Sequence, residues 1–505
     1  MLLSKMLKDI EIAKQYGPAD VEVSGLACDS RRVQQGFAFF ALPGALTDGF
    51  DFIPQATAAG AAVVISERWP ATFLENVCYL QVANVRRTMA LIASEYYRHP
   101  TAGIPVIGVT GTNGKTSITY LLEAVLRQAG YSPAVFGTIE YRFGNEKLES
   151  THTTPESLEL MQMMGKFRMQ GADAIILEVS SHALEQHRVD GIEFDIAVFT
   201  NLTPEHLDYH QNLDNYFASK RRLFSELLGQ GSAAINRDDG FGRQLLRENP
   251  AWCSFGEEKS AQVHPLDIRI GRDGIVGSFL TPHGQVDIDS GLIGHFNISN
   301  LLATVTAAQL LEIENREISA GISAAAKVPG RLEKVENDKD VLALVDYAHT
   351  GDALEQVLKT LSKLDSKRLI TLVGCGGDRD PSKRPVMAAA SVEYSDLSIF
   401  TSDNPRTEDP QQILQQVRSG ALAVDAVELS KMQLESGEKG FVVIPDRRTA
   451  IRLAVSLAKA GDLLLLAGKG HEDYQILGTE KVHFDDREEL MLAFQRTVSE
   501  EKYNV

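Results

Sequence analysis

PVIGVTGTNGKTSITYLLEAVLRQAG, residues 105–130, is the stretch that decides the fold. Val106–Thr110 is an apolar run of strand length, and from Ile118 the apolar residues recur at helical spacing until Gly130. Between them, Gly108-Val-Thr-Gly111-Thr-Asn-Gly114-Lys115-Thr116 reads as a phosphate loop with Gly108 as its first glycine. Glycines let backbone N–H groups wrap a phosphate, and the start of the helix adds the positive end of its dipole. On this reading Gly111, Thr112, Asn113, Gly114, Lys115, Thr116 and Ser117 hold an ATP-type nucleotide. Lys115 supplies a cation and the Thr116 hydroxyl ligates Mg²⁺. A phosphate loop alone leaves the reaction open.

Working outward, further strands are expected at Ala174–Val179, Asp195–Thr200 and Ser232–Ile235, separated by helical segments. That alternation predicts a mostly parallel sheet covered by helices. Residues 262–289 change to short alternating strands, read as an antiparallel excursion, before a helix from Ile298 to about Leu311. After Pro329-Gly-Arg331 the alternation restarts with LALVDYAHT, RLITLVGCGGD, LSIFTSDN, FVVIP and DLLLLAGKG, a second Rossmann-like texture. The predicted architecture is α/β in three domains. Residues 1–102 form a mixed α/β domain, 103–330 a central parallel-sheet domain with the phosphate loop, and 331–505 a C-terminal Rossmann-like domain.

With 505 residues, three domains are the natural expectation. Composition is ordinary for globular chains, 44% hydrophobic and 23% charged, so disordered and collagen-like classes are excluded. The net charge of −18 argues against nucleic acid as a partner, because neutralising phosphates needs a basic surface. No apolar run approaches the ~18–20 residues of a membrane span, and the N-terminus lacks the apolar stretch of a signal peptide. The four cysteines are scattered with no CxxC pair, so neither a disulfide framework nor a zinc site is implied. The expectation is a soluble cytoplasmic protein and a monomer.

Glu178 stands at the end of the apolar strand AIILEVSSH, where open α/β sheets place ligand-facing groups. Beside a phosphate loop such a carboxylate is a natural Mg²⁺ ligand, although a helix-capping acid fits the same spacing. TGTNGKTS together with DSRRVQQG, LEVSSHALEQHRV, NLTPEHLDYH, FASK, GHFNISNLLAT, PGRLE, VDYAHT, GCGGDRD, DNPRTEDP and AGKGHEDYQ resembles the Mur ligase superfamily, which includes folylpolyglutamate synthase. The resemblance runs along nearly the whole chain.

The resemblance implies specific roles. Glu178 and Thr116 would hold Mg²⁺, and His206 would help to hold a second ion. His206 and His210 lie four apart but lack HExxH and a third ligand, so no zinc site is read and His210 is structural. Lys220, which by itself reads as part of a solvated basic face with Arg221 and Arg222, matches a lysine that the family carboxylates to a carbamate. A carbamate offers anionic oxygens to Mg²⁺ where an ammonium would repel it. Asn300, Arg331 and Asp346 match nucleotide positions, although a cap and a strand-end turn explain Asn300 and Asp346 equally well. Ser30, Cys28 (a packing residue, not a nucleophile) and Ala45-Leu46-Thr47 match the uridine end of the first substrate. Without the family, DSR is a strand-exit turn. Thr153, Thr154, Ser180, Gln186 and Arg188 match positions for the muramoyl-peptide, an inventory suited to sugar, peptide and pyrophosphate. Pro155 after the threonines and Glu205 before His206 depart from a common pattern, with small geometric effects expected. Asp403-Asn404-Pro405-Arg406 matches a signature associated with meso-diaminopimelate, with Arg379, Gly468 and Glu472 as further contacts; the bland reading of Asn-Pro-Arg is a turn.

The implied activity is ATP-dependent amide ligation of meso-diaminopimelate to UDP-N-acetylmuramoyl-L-alanyl-D-glutamate through an acyl phosphate, in peptidoglycan precursor synthesis. Lys115, Lys220 and Arg188 are the catalytic candidates. The alternatives are an L-lysine-adding or other Mur ligase, folylpolyglutamate synthase, or a non-catalytic P-loop nucleotide-binding protein.

Overall fold

Val106–Thr110 is buried at every residue because parallel strands covered on both faces have no polar side to show. In the computed structural model, which describes residues 1–8, 10–44, 47–325 and 327–503, this strand lies inside an eight-stranded sheet. The order is Cys253–Phe255, Ser232–Asn236, Ile196–Phe199, Val106–Thr110, Ala174–Glu178, Pro133–Phe136, Glu140–Phe143, Glu146–Glu149. The first six are parallel, and the last two form an antiparallel edge that the alternating pattern did not announce. Gly108 pairs in register with Leu177 and Ala197, inside the strand. It is therefore not the first glycine of the phosphate loop, which begins at Gly111. A Cβ on Gly108 would stand 2.8 Å from the Phe194 ring, so its smallness serves packing.

The helix Lys115–Gln128 buries Ile118, Leu121, Leu122, Val125 and Leu126 and ends just before Gly130, whose φ of +87° suits a residue past a helix C-terminus. The same compact unit (Met1–Pro265, Leu280–Val286 and Ser299–Gly321) holds a five-stranded sheet of Lys14–Tyr16, Cys78–Gln81, Val63–Ser66, Phe37–Phe40 and Gly25–Ala27. All its pairings are parallel except that of Lys14–Tyr16. The excursion expected near 262–289 is a three-stranded sheet, His264–Gly271, Gly274–Thr281 and Gly284–Ser290, in chain order.

The second unit comprises Leu266–Phe279, Asp287–Ile298 and Ile322–Val505. Its six-stranded sheet runs Glu333–Val335, Leu342–Asp346, Leu463–Ala467, Leu369–Cys375, Leu397–Ser402, Gly440–Val443, with only the first pairing antiparallel. Leu463–Ala467 is buried throughout, as a central strand must be. The candidate residues Asp346, Asp403 and Gly468 sit at or just past the carboxyl ends of these strands, where open α/β sheets bind ligands. A short hairpin, Tyr474–Leu477 with Glu480–His483, follows the strand that carries Gly468.

Leu177 is fully buried in the central strand Ala174–Glu178. Leu177→Ala should cost ~2–5 kcal/mol, the range for a leucine truncated in a close-packed core. A thermal melt followed by circular dichroism should show a clearly lower midpoint, and an unchanged midpoint would contradict the core placement.

Candidate active site

The phosphate loop is shaped by two glycines and braced by the end of the neighbouring strand. Gly111 has φ +145° and Gly114 φ +90°, conformations that side chains rarely adopt. The Thr200 hydroxyl donates to the Asn113 carbonyl at 2.7 Å, Asn113 N–H donates to Asn201 Oδ1 at 2.9 Å, and Thr112 N–H donates to the Asn201 carbonyl at 2.8 Å. Gly114 is the N-cap of the helix Lys115–Gln128 and brings no capping side chain, so the helix N-terminus can be offered to an anion. Asn300, from the helix Phe296–Leu310, presses on the loop: its Oδ1 lies 2.3 Å from where a Gly114 Cβ would be. Lys115 Nζ donates to the Gly111 and Thr112 carbonyls at 2.9 and 2.7 Å. Thr116 and Ser117, the first residues after it, are buried.

Glu178 is 1% exposed at the end of its strand. Its carboxylate accepts from Thr116 Oγ1 at 3.2 Å, Thr138 Oγ1 at 3.0 Å and Thr138 N–H at 3.1 Å. These are neutral donors around a buried acid, an arrangement that favours a cation beside it. The donor set of a hydroxyl and a carboxylate is the hard-oxygen chemistry Mg²⁺ takes, so the residues fit the ion.

Lys220 is not on a solvated face. On the helix Leu213–Arg222 it is 1% exposed, its Nζ donates to the Gly111 carbonyl at 2.9 Å, and it lies 4.5 Å from the Tyr216 ring centroid. Burial, with Lys115 as a neighbouring charge, holds its ammonium well below the usual lysine range and so favours the neutral amine. His206 takes a left-handed conformation at the start of Leu207–His210 and is half exposed, 3.9 Å from Glu205. Its ring packs on His182, centroids 4.9 Å apart, and burial with His206 and His210 pushes the His182 imidazole down to about 4. His210 is buried between the Ser181 hydroxyl at 2.9 Å and the Ser219 hydroxyl at 3.4 Å, a structural placement.

The muramoyl-peptide candidates converge on the same strand end. Thr154 Oγ1 donates to the Glu178 carbonyl at 2.7 Å and accepts from Ser180 N–H at 3.1 Å, and Thr153 Oγ1 lies 3.1 Å from Thr138 Oγ1. Arg188 donates to the Thr154 carbonyl and to Gln186 Oε1, both at 2.8 Å, and pairs with Glu156 at 2.9 Å. Glu156 also faces Arg86 at 3.7 Å and raises the Cys28 thiol after burial, the larger cause. Ser30 is buried and donates to Gln55 Oε1 at 3.0 Å. Thr47 is described, while Ala45 and Leu46 lie outside the described residues.

In the second unit, Asp403, Asn404 and Glu472 meet around Lys469. Asn404 Nδ2 donates to Glu472 Oε2 at 2.9 Å, and Lys469 Nζ donates to Asp403 Oδ1 at 3.2 Å and Glu472 Oε2 at 3.3 Å. Burial pushes the Glu472 carboxyl up, with Asp403 adding to it, whereas Lys469 and Arg447 outweigh burial and hold Asp403 down. Pro405 is buried, and Arg406, half-buried at φ +52°, donates to the Gly377 carbonyl at 2.7 Å. Gly468 N–H donates to the Asp346 carbonyl at 3.1 Å. Arg379 is on the exposed loop, donating to the Asp378 carbonyl at 3.1 Å. Both Asp346 oxygens accept backbone N–H groups, of Leu332 and Ala348 at 2.8 Å, so this carboxylate organises backbone; Arg331 lies over the Tyr347 ring at 4.9 Å.

Thr138, Glu156 and Lys469 escaped the sequence reading. Thr138 had a signal, since FGT directly follows the buried strand Pro133–Phe136 at a sheet's carboxyl edge. Glu156 pairs with Arg188 and Arg86, and Lys469 with Asp403 as well as nearby Glu472; the pairings distant in sequence are ones no local pattern shows.

Three family models match the chain: the Mur ligase family catalytic domain at residues 22–97, the Mur ligase middle domain at 109–308, and the Mur ligase glutamate ligase domain at 330–470. A protein of Geobacter sulfurreducens named UDP-N-acetylmuramoyl-L-alanyl-D-glutamate–2,6-diaminopimelate ligase is 48% identical, over 99% of this chain and 100% of its own length. One of Syntrophomonas wolfei with the same name is 43% identical over 96% and 98%. A solved structure bearing that name is 34% identical, covers 94% of this chain and 95% of its own, and superposes with a TM-score of 0.69.

Gly114→Ala strains a left-handed position and pushes a methyl to 2.3 Å from Asn300 Oδ1. Calorimetric titration with an ATP analogue should show binding weakened at least ~10-fold with the circular dichroism spectrum retained, since ~1.4 kcal/mol is tenfold and such strain costs ~1–3 kcal/mol. Unaltered binding would mean that the loop is not the nucleotide cradle.

Proposed function

The chain belongs to the Mur ligase family, and from that membership we infer that it is an ATP-dependent ligase joining meso-2,6-diaminopimelate to UDP-N-acetylmuramoyl-L-alanyl-D-glutamate. The observation that carries the choice of amino acid is the array of buried Asp403, Asn404 and Lys469 with half-buried Glu472, beside Arg406. Diaminopimelate ends in two amino-carboxylate heads. Arg406 suits the carboxylate of the distal head and Glu472 its ammonium. L-lysine lacks that carboxylate and would leave the guanidinium unmatched. We assign the UDP end to residues 1–102, ATP to 103–330 and the amino acid to 331–505.

The terminal carboxylate of the UDP-dipeptide attacks the γ-phosphate, forming an acyl phosphate and ADP. The amine of diaminopimelate then attacks the acyl carbon, and phosphate leaves from a tetrahedral intermediate. The chain's part is positioning and charge. Lys115 faces the β/γ-phosphates, backbone N–H groups of the loop wrap them, and Arg188 with Thr154 and Ser180 orients the muramoyl-peptide. Mg²⁺, held by Thr116 and Glu178 with His206 and Lys220 at a second ion, would neutralise the phosphoryl oxygens.

The carbamate reading of Lys220 draws support from its surroundings. An amine attacks CO₂ only when neutral, and burial beside Lys115 favours the neutral form at a pH where an exposed lysine stays charged. Lys220→Ala should be nearly inactive and partly rescued by added short carboxylates. An unmodified Lys220 in active enzyme, by mass spectrometry under CO₂, would end this reading.

Amino-acid choice is tested with Arg406→Ala. Losing one partner of a buried charge pair costs ~2–5 kcal/mol, or roughly 30- to several-thousand-fold. Wild type should prefer diaminopimelate over L-lysine by a factor in that range. The variant should lose its diaminopimelate kcat/KM while its lysine kcat/KM changes far less. Equal loss on both substrates, or a wild-type preference for lysine, would overturn the assignment.

A further inference from the structure

Lys469 occupies an unusual place for a lysine. It follows Gly468 at the end of the strand Leu463–Ala467 and is 0% exposed. All three protons of its ammonium are committed: to Asp403 Oδ1 at 3.2 Å, Glu472 Oε2 at 3.3 Å and the Tyr474 carbonyl at 2.5 Å. Side chains of Lys and Glu are rarely buried unless paired, and here one cation serves two acids. Arg447 is close by, engaged bidentately with buried Asp486, Nε at 2.7 Å and Nη2 at 2.5 Å, and its charge also acts on Asp403 and Glu472. Asp403 and Glu472 are thus bridged by Lys469, with Arg406 a further cation acting on Asp403. Asn404 ties the group down, giving Nδ2 to Glu472 and taking the Ile476 N–H on Oδ1 at 2.9 Å.

We propose that Lys469 is the positioning residue for amino-acid recognition: its ammonium holds the Asp403 and Glu472 carboxylates together as a receiver for an amino group of the incoming substrate. Without the ammonium the buried Asp403 and half-buried Glu472 carboxylates are left side by side, and they must part or take up a proton. Either response breaks up the paired carboxylates that would receive an amine. Lys469 itself touches no substrate in this account; it acts through Asp403 and Glu472. The proposal rests on the reading of Glu472 as part of the diaminopimelate site.

The experiment uses full-length enzyme with Lys469→Met, Lys469→Gln, Glu472→Gln and the double variant Lys469→Met/Glu472→Gln. KM is measured separately for meso-diaminopimelate, ATP and the UDP-dipeptide. For both Lys469 variants KM for diaminopimelate should rise at least ~30-fold, the lower end for breaking a buried charge pair, with the other two little changed. In the double variant the penalties should fall short of the product of the singles, because the two side chains serve one receiver. A structural role alone would lower the melting temperature and move all three KM values together, which overturns the proposal. Failure of both Lys469 variants to fold overturns it as well. If Glu472→Gln leaves KM for diaminopimelate unchanged, the site reading itself fails. If Glu472→Gln raises it but the Lys469 variants do not, only the positioning role falls.

Discussion

One buried carboxylate sets the geometry of the phosphate end of the site. Glu178 terminates the strand between Val106–Thr110 and Pro133–Phe136, and its side chain gathers the hydroxyl of Thr116 and the hydroxyl and N–H of Thr138, which follow those two neighbours. Its own carbonyl takes the Thr154 hydroxyl. Three segments that leave the sheet at separate points are thus drawn to a single acid. Because a buried acid among neutral donors is short of positive charge, the same arrangement that organises the loops also favours a cation beside it. Scaffold and chemistry share the atoms.

The crowding of cations at Gly111 follows the same economy. Lys115 and Lys220 come from helices far apart in sequence and both donate to the Gly111 carbonyl. Burial, with Lys115 as a neighbouring charge, holds the Lys220 ammonium well below the usual lysine range. Glycine at 111 is required by its backbone conformation and by the Thr200 hydroxyl, which would meet a Cβ at 1.8 Å. The loop is therefore defined by its neighbours as much as by its own residues.

Legibility in the sequence followed the range of the forces involved. Strands such as Val106–Thr110 and Leu463–Ala467 were readable because parallel-sheet burial demands unbroken apolar runs, and the phosphate loop because its glycines and lysine are contiguous. The antiparallel edge Glu140–Phe143 and Glu146–Glu149 was not, since it is polar on one side and short. Lys220 shows the limit most plainly. Flanked by Arg221 and Arg222 it reads as surface, yet it sits on the helix face turned to Gly111 while Arg221 is exposed. Residue type there misleads; position on the helix decides. The pairings of Lys469 with Asp403 and of Glu156 with Arg86 join residues far apart along the chain, and a single sequence holds no record of such pairs. The family resemblance supplied Lys220 as a candidate, where composition and spacing could not.

In the role proposed for it, Arg406 carries a consequence for how this pocket could change over evolutionary time. Its backbone is left-handed at φ +52°, and it is fixed there from both sides, with its N–H donating to the Ile476 carbonyl and its carbonyl accepting from Gly478 N–H. Asparagine, aspartate and glycine tolerate that conformation, whereas β-branched residues do not. Drift at this position is thereby channelled: small polar or acidic replacements keep the loop and alter the ligand, while valine, isoleucine or threonine would disturb the loop before any new ligand could be tried. The backbone acts as a filter on which selectivities lie within one mutation.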